Sequence, residues 1–200
     1  YPDGGVHPTA NITRAEVSAI FYRLLSDDAR GVYTTSIHIF SDAQNSWAST
    51  EIATLTNAGI LKGYTDGTFR PNAAITRAEF AAIAARFDKL SGGDKTFTDV
   101  PTDHWAYAAI TSAAEKGWVN GYADGTFRPN NAITRAEVVK ITNAVLERTC
   151  DKDYVADNLS KLISYNDLTS AYWAYYDVLE ASNAHDYKVV NDVETWVSLK

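Results

Sequence analysis

A sixteen-residue signature occurs three times in this chain of 200 residues, and each copy ends in Thr-Arg-Ala-Glu. The copies read YPDGGVHPTANITRAE at 1–16, YTDGTFRPNAAITRAE at 64–79 and YADGTFRPNNAITRAE at 122–137. A motif that recurs at such a long period predicts a repeat protein, in which each copy needs its neighbours to bury its apolar face. The signature also predicts that one kind of site is presented three times.

A second element recurs out of phase with the signature, at 40–52, 97–110 and 165–178. Its copies share an aspartate and a tryptophan, which are Asp42, Asp99 and Asp167 with Trp47, Trp105 and Trp173. We name this element the early half-repeat, and the signature with its following helix the late half-repeat. Late and early half-repeats alternate along the chain, beginning with a late half, and each occurs three times. Open arrays need capping ends, so the balanced count predicts a closed three-fold arrangement, with the last early half near Trp173 beside the first late half near Arg14.

Each half-repeat contains a helix with recognisable ends. A threonine followed three residues later by glutamate predicts a capping box at the start of each late helix; the pairs are Thr13 and Glu16, Thr76 and Glu79, Thr134 and Glu137. Gly59 and Gly117 are typical of the ends of the first two early helices. Six main helices with one apolar stripe each predict a mainly α fold around a central six-helix bundle.

Short turns are expected between the helices. The dipeptides Asp66-Gly67 and Asp124-Gly125 favour tight turns within a short strand or hairpin. The segments 26–38 and 148–164 are insertions, the second with an extra short helix, and 187–200 matches no part of the repeat.

The repeats divide the chain into four parts. Residues 1–39 are the late half of repeat 1 with an insertion, 40–96 are repeat 2, and 97–150 are repeat 3. Residues 151–200 form a linker and the terminal early half that completes the three-fold unit, so truncation after Arg148 is expected to prevent closure.

Composition excludes several classes of function. A net charge of -7 argues against nucleic acid or anionic lipid as a bulk partner, and no apolar run is long enough to span a bilayer. The chain contains no methionine, so it is expected to be a trimmed piece of a longer precursor, and the single Cys150 is expected to be an inert thiol.

No catalytic or metal-ligand set is recognisable in the sequence. The four histidines, His7, His38, His104 and His185, share no ligand spacing with each other or with the cysteine. No serine or cysteine lies in a nucleophile elbow. The chain is therefore predicted to be no enzyme and to bind no metal or cofactor.

The arginine of the signature is the residue that helix formation does not explain. Arg14, Arg77 and Arg135 each occupy the first helical position, where the helix dipole disfavours a cation by about 0.3–1 kcal/mol. One interpretation is an internal salt bridge to a nearby aspartate such as Asp66 or Asp124. The other is an anion site, in which helix amides and a guanidinium converge on a carboxylate or phosphate. The residues themselves leave both open.

The strings GYTDGTFRPNAAITRAE and FTDVPTDHWAYAAI resemble the S-layer homology domain family, closely over about 40–146 and partially at both ends. The resemblance implies a pseudo-three-fold assembly that anchors proteins to bacterial envelopes. It also implies grooves between repeats that hold an acidic secondary cell-wall polymer, such as a pyruvylated glycan attached to peptidoglycan. The expected location is extracellular, at the cell wall, and the expected state of this fragment is a monomer.

By the same resemblance, the three signature arginines are expected to contact the acidic group of the polymer, and the turn residues to form the groove wall. The candidate ligand-binding residues are Arg14, Arg77, Arg135, Asp66, Gly67, Asp124, Gly125, Asp3, Trp47, Trp105 and Trp173. In the first copy, Gly5, Val6 and His7 stand where the second copy has Thr68, Phe69 and Arg70, so its groove is expected to be weakened or specialised although Arg14 is retained.

Two other functions compete with polymer binding. The first is a protein–protein interaction or surface-assembly module, with the arginines locked in internal salt bridges. The second is a carbohydrate-binding accessory to an enzyme that lies outside these residues.

Overall fold

The computed structural model describes residues 1–90, 92–191 and 193–200. Within them the chain forms eight α-helices and one two-stranded sheet, which confirms the mainly α prediction. The elements are α1 (Arg14–Leu24), α2 (Asp27–Tyr33), α3 (Ser49–Asn57), α4 (Arg77–Phe87), α5 (Tyr107–Glu115), α6 (Arg135–Val145), α7 (Lys152–Asn158), α8 (Tyr175–Ser182), β1 (His185–Val190) and β2 (Val193–Leu199).

The chain divides into two compact units. Unit 1 comprises Tyr1–Ala10 and Thr134–Lys200, and unit 2 comprises Asn11–Ile133. Unit 2 therefore contains α1 to α5, and unit 1 contains α6 to α8 with both strands. The three-fold closure of the whole chain stays a prediction, as do the four sequence-based domain boundaries.

The capping boxes form at all three late helices, as the sequence predicts. The hydroxyls of Thr13, Thr76 and Thr134 accept from the third helical amide, while the glutamate at that position accepts from the threonine amide. This exchange satisfies amides that a helix start leaves without intrahelical partners. Capping therefore fixes where each signature helix begins, and with it the position of the following arginine.

Each late helix packs against the early helix that follows it. In unit 2, α1 packs against α3 and α4 against α5, and in unit 1, α6 packs against α8. The early helices α3 and α5 are followed by Gly59 at φ 75° and Gly117 at φ 73°, a left-handed conformation that glycine adopts without a Cβ penalty. The six predicted helices are thus present as three pairs.

Aromatic side chains fill the core of unit 2. The ring of Phe21 in α1 lies 5.8 Å from that of Phe80 and 5.3 Å from that of Phe87, both in α4. Phe69 and Phe127 of the two complete signatures are fully buried as well. Burial of an aromatic side chain stabilises a fold by about 1.5–3 kcal/mol, so the signature phenylalanines are core residues.

The Asp-Gly dipeptides form turns, but the predicted strands around them do not form in the described residues. The turn at Asp66-Gly67 is closed by the amide of Tyr64, which donates to the carbonyl of Thr68 at 2.8 Å, and Tyr122 and Thr126 repeat this bond. Only isolated bridges occur nearby, such as Thr13 with Ala74. The reason is that side chains of the turn itself bond its amides, which leaves no regular ladder for a partner strand.

The start of the chain contacts the terminal early half within unit 1. The amide of Asn166 donates to the carbonyl of Gly4 at 3.2 Å, and its side chain donates to the carbonyl of Asp3 at 2.7 Å. The first ten residues therefore belong structurally with a segment more than 150 residues later.

The insertions and the tail have structure that the repeat does not predict. Helix α2 lies in the first insertion and α7 in the second. The helix predicted at 157–164 is present there only as the end of α7 and a short 3₁₀ turn at Leu159–Lys161. In the tail, β1 and β2 pair antiparallel, with His185 opposite Leu199 and Tyr187 opposite Trp196. Asp192, which the tail also includes, lies outside the described residues.

No helix in the described part of the chain combines the length and the apolar character that a bilayer crossing requires.

Candidate functional site

An aspartate of each early half holds the turn of a signature. The carboxylate of Asp42 accepts from the amides of Phe69 and Arg70 at 2.8 and 2.7 Å. Asp99 binds the amides of residues 127 and 128 in the same way, and Asp167 binds those of residues 6 and 7. Alignment of the three early half-repeats identifies these aspartates but does not show that they bind backbone amides.

The second of those amides belongs to a residue with unusual backbone geometry. Arg70 and Arg128 both have φ of 58°, and His7 has φ of 50°. The left-handed conformation is unfavourable for a non-glycine residue, and it persists only where surrounding contacts offset its cost. The aspartate carboxylate stabilises this conformation, because it accepts hydrogen bonds from two consecutive amides.

Side chains of each complete turn form a small hydrogen-bonded network. Asp66 Oδ1 accepts from the hydroxyl and amide of Thr68 at 2.6 and 3.0 Å, and Oδ2 pairs with Arg70 Nη2 at 2.7 Å. Asp124 makes the same contacts with Thr126 and Arg128. These bonds lower the pKa of each aspartate to about 2, and the bond from the threonine hydroxyl has the largest effect. Asp66 and Asp124, which the sequence offers as partners for the signature arginines, thus pair with Arg70 and Arg128 of their own turns.

We expect Asp66 to titrate at about pH 2 in the folded protein, below its ordinary value of 3.8. A lowered pKa contributes stability that is present above the unfolded pKa and is lost as the pH falls through about 2. Carboxyl carbon shifts measured by NMR between pH 1.5 and 6 test this. Thr68→Val should raise the pKa of Asp66 and leave Asp124 at about 2, so a common shift of both would contradict the network.

The guanidinium of Arg14 is buried within unit 2, and each of its three nitrogens donates one hydrogen bond to the protein. Its Nε donates to the carbonyl of Phe69 at 2.7 Å, Nη2 to the carbonyl of Lys62 at 3.0 Å, and Nη1 to Glu79 Oε1 at 3.0 Å. It also lies 4.8 Å from the ring of Tyr64, and the arginine is 4% exposed. The partner carboxylate is the capping glutamate of the next signature.

The other two signature arginines make related contacts. Arg77 is buried, and its Nε and Nη2 donate to the carbonyls of Phe127 and Asn120 at 2.9 and 3.0 Å. Arg135 is half-buried, its Nε donates to the carbonyl of Val6 at 2.9 Å, and its guanidinium lies 4.8 Å from the ring of Tyr1. Each arginine thus binds the turn of another signature copy.

The remaining candidate residues lie at the surface. Trp47, Trp105 and Trp173 are 63%, 62% and 55% exposed, which is unusual for residues that dominate core packing. Gly67 and Gly125 both have φ of 80° and fit the turn. Asp3 accepts from the amide of Gly5 and lies 2.9 Å from the ring of His7.

A cavity of about 540 Å³ lies in unit 2 beside Arg14. Its wall combines the turn before Gly67, the start and inner face of α4, the indole of one early half and a loop residue of the next signature. The lining residues are Arg14, Lys62, Gly63, Tyr64, Thr65, Ala74, Thr76, Glu79, Ala82, Ile83, Arg86, Trp105 and Asn130. The volume lies within the range of small-molecule sites, about 300–1,000 Å³.

The cavity has an excess of positive charge, although the whole chain carries -7. Three cations, Arg14, Lys62 and Arg86, and one carboxylate, Glu79, line it. Arg14 and Glu79 neutralise each other, so the excess belongs to Lys62 and Arg86. Repeat-based reasoning does not find these two residues, because the third copy has Asn120 and Ala144 at the corresponding positions. The only sequence signal is their position at the edges of the signature.

A second buried cluster lies in unit 1. Arg148 Nη2 lies 2.8 Å from Glu180 Oε1, 2.9 Å from Glu194 Oε1 and 2.7 Å from His185 Nε2. The two glutamates and the histidine have the arrangement of a metal-ligand set, but the guanidinium occupies its centre. The cluster joins the tail to α8, so its role is structural. Burial raises the pKa of the neighbouring Cys150 thiol to about 12, which agrees with an inert cysteine.

Comparisons with known proteins match the repeats directly. The model of the S-layer homology domain matches residues 39–81 and 96–139. The chain is 38% identical, over 94% of its length, to the Cellulosome-anchoring protein of Acetivibrio thermocellus, of which it covers 42%. It is 36% identical over its whole length to Cell surface glycoprotein 1 of the same organism, of which it covers 9%.

A third relative is S-layer protein EA1 of Bacillus anthracis, 31% identical over 78% of the chain and matched over 19% of its own length. The chain thus spans less than half the length of each of these relatives. With the Asp-bound turns and capped Thr-Arg-Ala-Glu helices described above, the matches establish that the chain belongs to the S-layer homology domain family.

Proposed function

We propose that this chain is a non-catalytic anchoring module, which holds a larger protein at the bacterial cell wall by binding an acidic wall polymer. The domain acts outside the cell, at the cell surface. Its partner in the proposal is a glycopolymer attached to peptidoglycan, which carries carboxylate or phosphate groups.

The observation that carries the proposal is the cavity of unit 2, where an exposed indole and two cations face the same space; neither cation has a carboxylate partner among the described residues. Trp105 gives an apolar platform for a sugar ring, and Lys62 and Arg86 supply the positive charge that an acidic substituent requires. Thr65 and Asn130 add polar groups for hydroxyls of the sugar. An aromatic wall with a few polar groups is typical of ligand sites.

Repetition strengthens a weak site of this kind. Trp47 and Trp173 occupy the corresponding early-half positions and are similarly exposed. Linked sites that bind one polymer gain avidity by factors of about 10²–10⁴ without new contacts. In this proposal, several weak sites together hold the larger protein at the wall.

Co-sedimentation with purified wall sacculi tests the proposal. We expect binding to intact sacculi and no binding after the polymers have been stripped by acid. Trp105→Ala should weaken binding at least tenfold, which corresponds to about 1.4 kcal/mol, because the sugar platform is lost. Tyr33→Ala, which removes an exposed aromatic from α2 outside the cavity, should have no effect.

Two outcomes would contradict the proposal. Binding that survives acid stripping would identify peptidoglycan itself as the ligand. A lack of binding to either preparation would favour the alternative, a protein-interaction or surface-assembly module.

A further inference from the structure

The tail of unit 1 ends in a hairpin whose first strand has an open outer edge. Among the described residues, β1 pairs only with β2, and Tyr187 lies opposite Trp196. The amide of Trp196 donates to Asp151 and not to β1, so this is a non-hydrogen-bonded pair of the ladder. Because such pairs alternate with bonded ones along antiparallel strands, Tyr187 and Val189 direct their amides and carbonyls away from β2.

The side chains along this edge are exposed. Tyr187 and Val189 are 47% and 63% exposed, and the charged residues Asp186 and Lys188 are exposed as well. An open edge pairs readily with another strand, and proteins usually cover such an edge or place charges on it. In the described part of the chain no element covers β1, so its charges decide which strand it accepts.

The two charges of β1 complement each other in one register of self-pairing. Two antiparallel copies of β1 whose outward groups bond each other can be centred on Tyr187, Lys188 or Val189. Centring on Lys188 places two lysines opposite each other, and centring on Val189 places each lysine opposite Val190. Centring on Tyr187 places Asp186 of each copy opposite Lys188 of the other, in the non-hydrogen-bonded pairs where side chains lie closest. Charge therefore selects the register centred on Tyr187.

We propose that the outer edge of β1 is an interface between two copies of this chain, which pair into a four-stranded sheet in the order β2, β1, β1, β2. The inference goes beyond the anchoring function and does not depend on polymer binding. Tyr187 of each copy exchanges backbone hydrogen bonds with its counterpart at the two-fold axis, and the two Asp186–Lys188 pairs flank it. Asp151 occupies the outer edge of β2 at Trp196, so the sheet closes at two copies.

The pairing is expected to be weak. A strand of six residues is about 20 Å long, and edge pairing along it buries less than the roughly 1,200 Å² of a standard interface. The carboxylate of Asp186 also keeps its exposed ion pair with Lys200 at 2.7 Å. Dimers therefore form at high concentration, such as that of proteins tethered to one surface, and the sequence-based expectation of a monomer applies to dilute solution.

An exchange of charges tests the register. Lys188→Asp makes the edge wholly acidic and Asp186→Lys makes it wholly basic, so each variant alone should associate at least tenfold more weakly than the wild type. An equimolar mixture of the two variants should associate within threefold of the wild type, because every acidic residue of one copy then faces a basic residue of the other. Sedimentation equilibrium at increasing concentration measures all three samples.

Lys116→Asp is the matched control, since it makes the same change of charge at an exposed lysine of unit 2. It should associate within twofold of the wild type, and unfolding midpoints show that each variant is folded. Amide NMR of the wild type over the same dilution series should show concentration-dependent shifts at Tyr187 and Val189. Absence of these shifts at millimolar concentration, undiminished association of either edge variant alone, or a mixture that associates no better than its components would overturn the inference.

Discussion

Replacement of Arg14 by methionine is expected to lower the free energy of unfolding by about 3–5 kcal/mol, the cost of breaking a buried ion pair from one side. The side chain is 5% exposed and that of its partner Glu79 is 16% exposed. Methionine fills much of the space but donates no hydrogen bond. The carbonyls of Phe69 and Lys62 then lose their donors, and the carboxylate keeps the hydroxyl of Tyr64 at 2.7 Å.

Urea unfolding measures this loss, with the midpoint and slope determined for each variant. Arg70→Met is the matched control, since its guanidinium lies 4.1 Å from the ring of the same Tyr64 but pairs with Asp66 in an ion pair that is half exposed. Surface pairs contribute little, so its unfolding midpoint should move far less. Similar small losses in both variants would show that Arg14 is dispensable to the fold and available to a ligand.

Local rules predict the starts and ends of the helices. A threonine bonds an amide three residues away, and a glycine terminates the helix it follows, so Thr76 with Glu79 and Gly117 act through their immediate neighbours. The turn network of Asp66 and Arg70 is local for the same reason. The helix ends and turns of the signature can therefore be predicted from the sequence alone.

The partners of the signature arginines are not local. Arg14 binds a carboxylate 65 residues later in the chain, and spacing alone does not indicate which of the 25 acidic residues that is. The helix-dipole argument correctly identifies an unusual cation, but the compensating charge is the capping glutamate of the next repeat. The same glutamate thus caps its own helix and holds the neighbouring one.

The repeat pattern does not predict the cavity or the tail, for another reason. A search for shared positions finds what all copies have in common, whereas the third copy has Asn120 and Ala144 in place of Lys62 and Arg86. The strands β1 and β2 lie outside any copy, and the tail contacts α8 through bonds such as that from Trp196 Nε1 to Glu180 at 3.0 Å. The cavity lining and the structure of the tail therefore require the three-dimensional structure.

Replacement of Arg148 by methionine is expected to destabilise unit 1 by about 3–5 kcal/mol at pH 7. The side chains of Glu180 and Glu194 are only 2% and 3% exposed, and both pair with Nη2 of this arginine at 2.8 and 2.9 Å. Without the guanidinium, two buried carboxylates face each other beside His185, and like charges in a buried site repel.

The variant should recover part of its stability on acidification, relative to the wild type. Burial, and then the charge of Glu194, raises the pKa of Glu180 above its ordinary value of 4.5. The folded state then binds this proton more tightly than the unfolded state, so its contribution becomes less favourable as the pH rises through the folded pKa. Removing Arg148 raises that pKa further, and the difference from wild type should shrink between pH 7 and about pH 5.

Urea unfolding at both pH values measures the effect, and Arg148→Met/Glu194→Gln supplies the control. The second substitution removes one of the two facing charges, so the double variant should be more stable than Arg148→Met at pH 7 and less dependent on pH. If Arg148→Met instead remained equally far below the wild type at both pH values, the loss would come from packing of the arginine side chain and not from the two carboxylates that it neutralises.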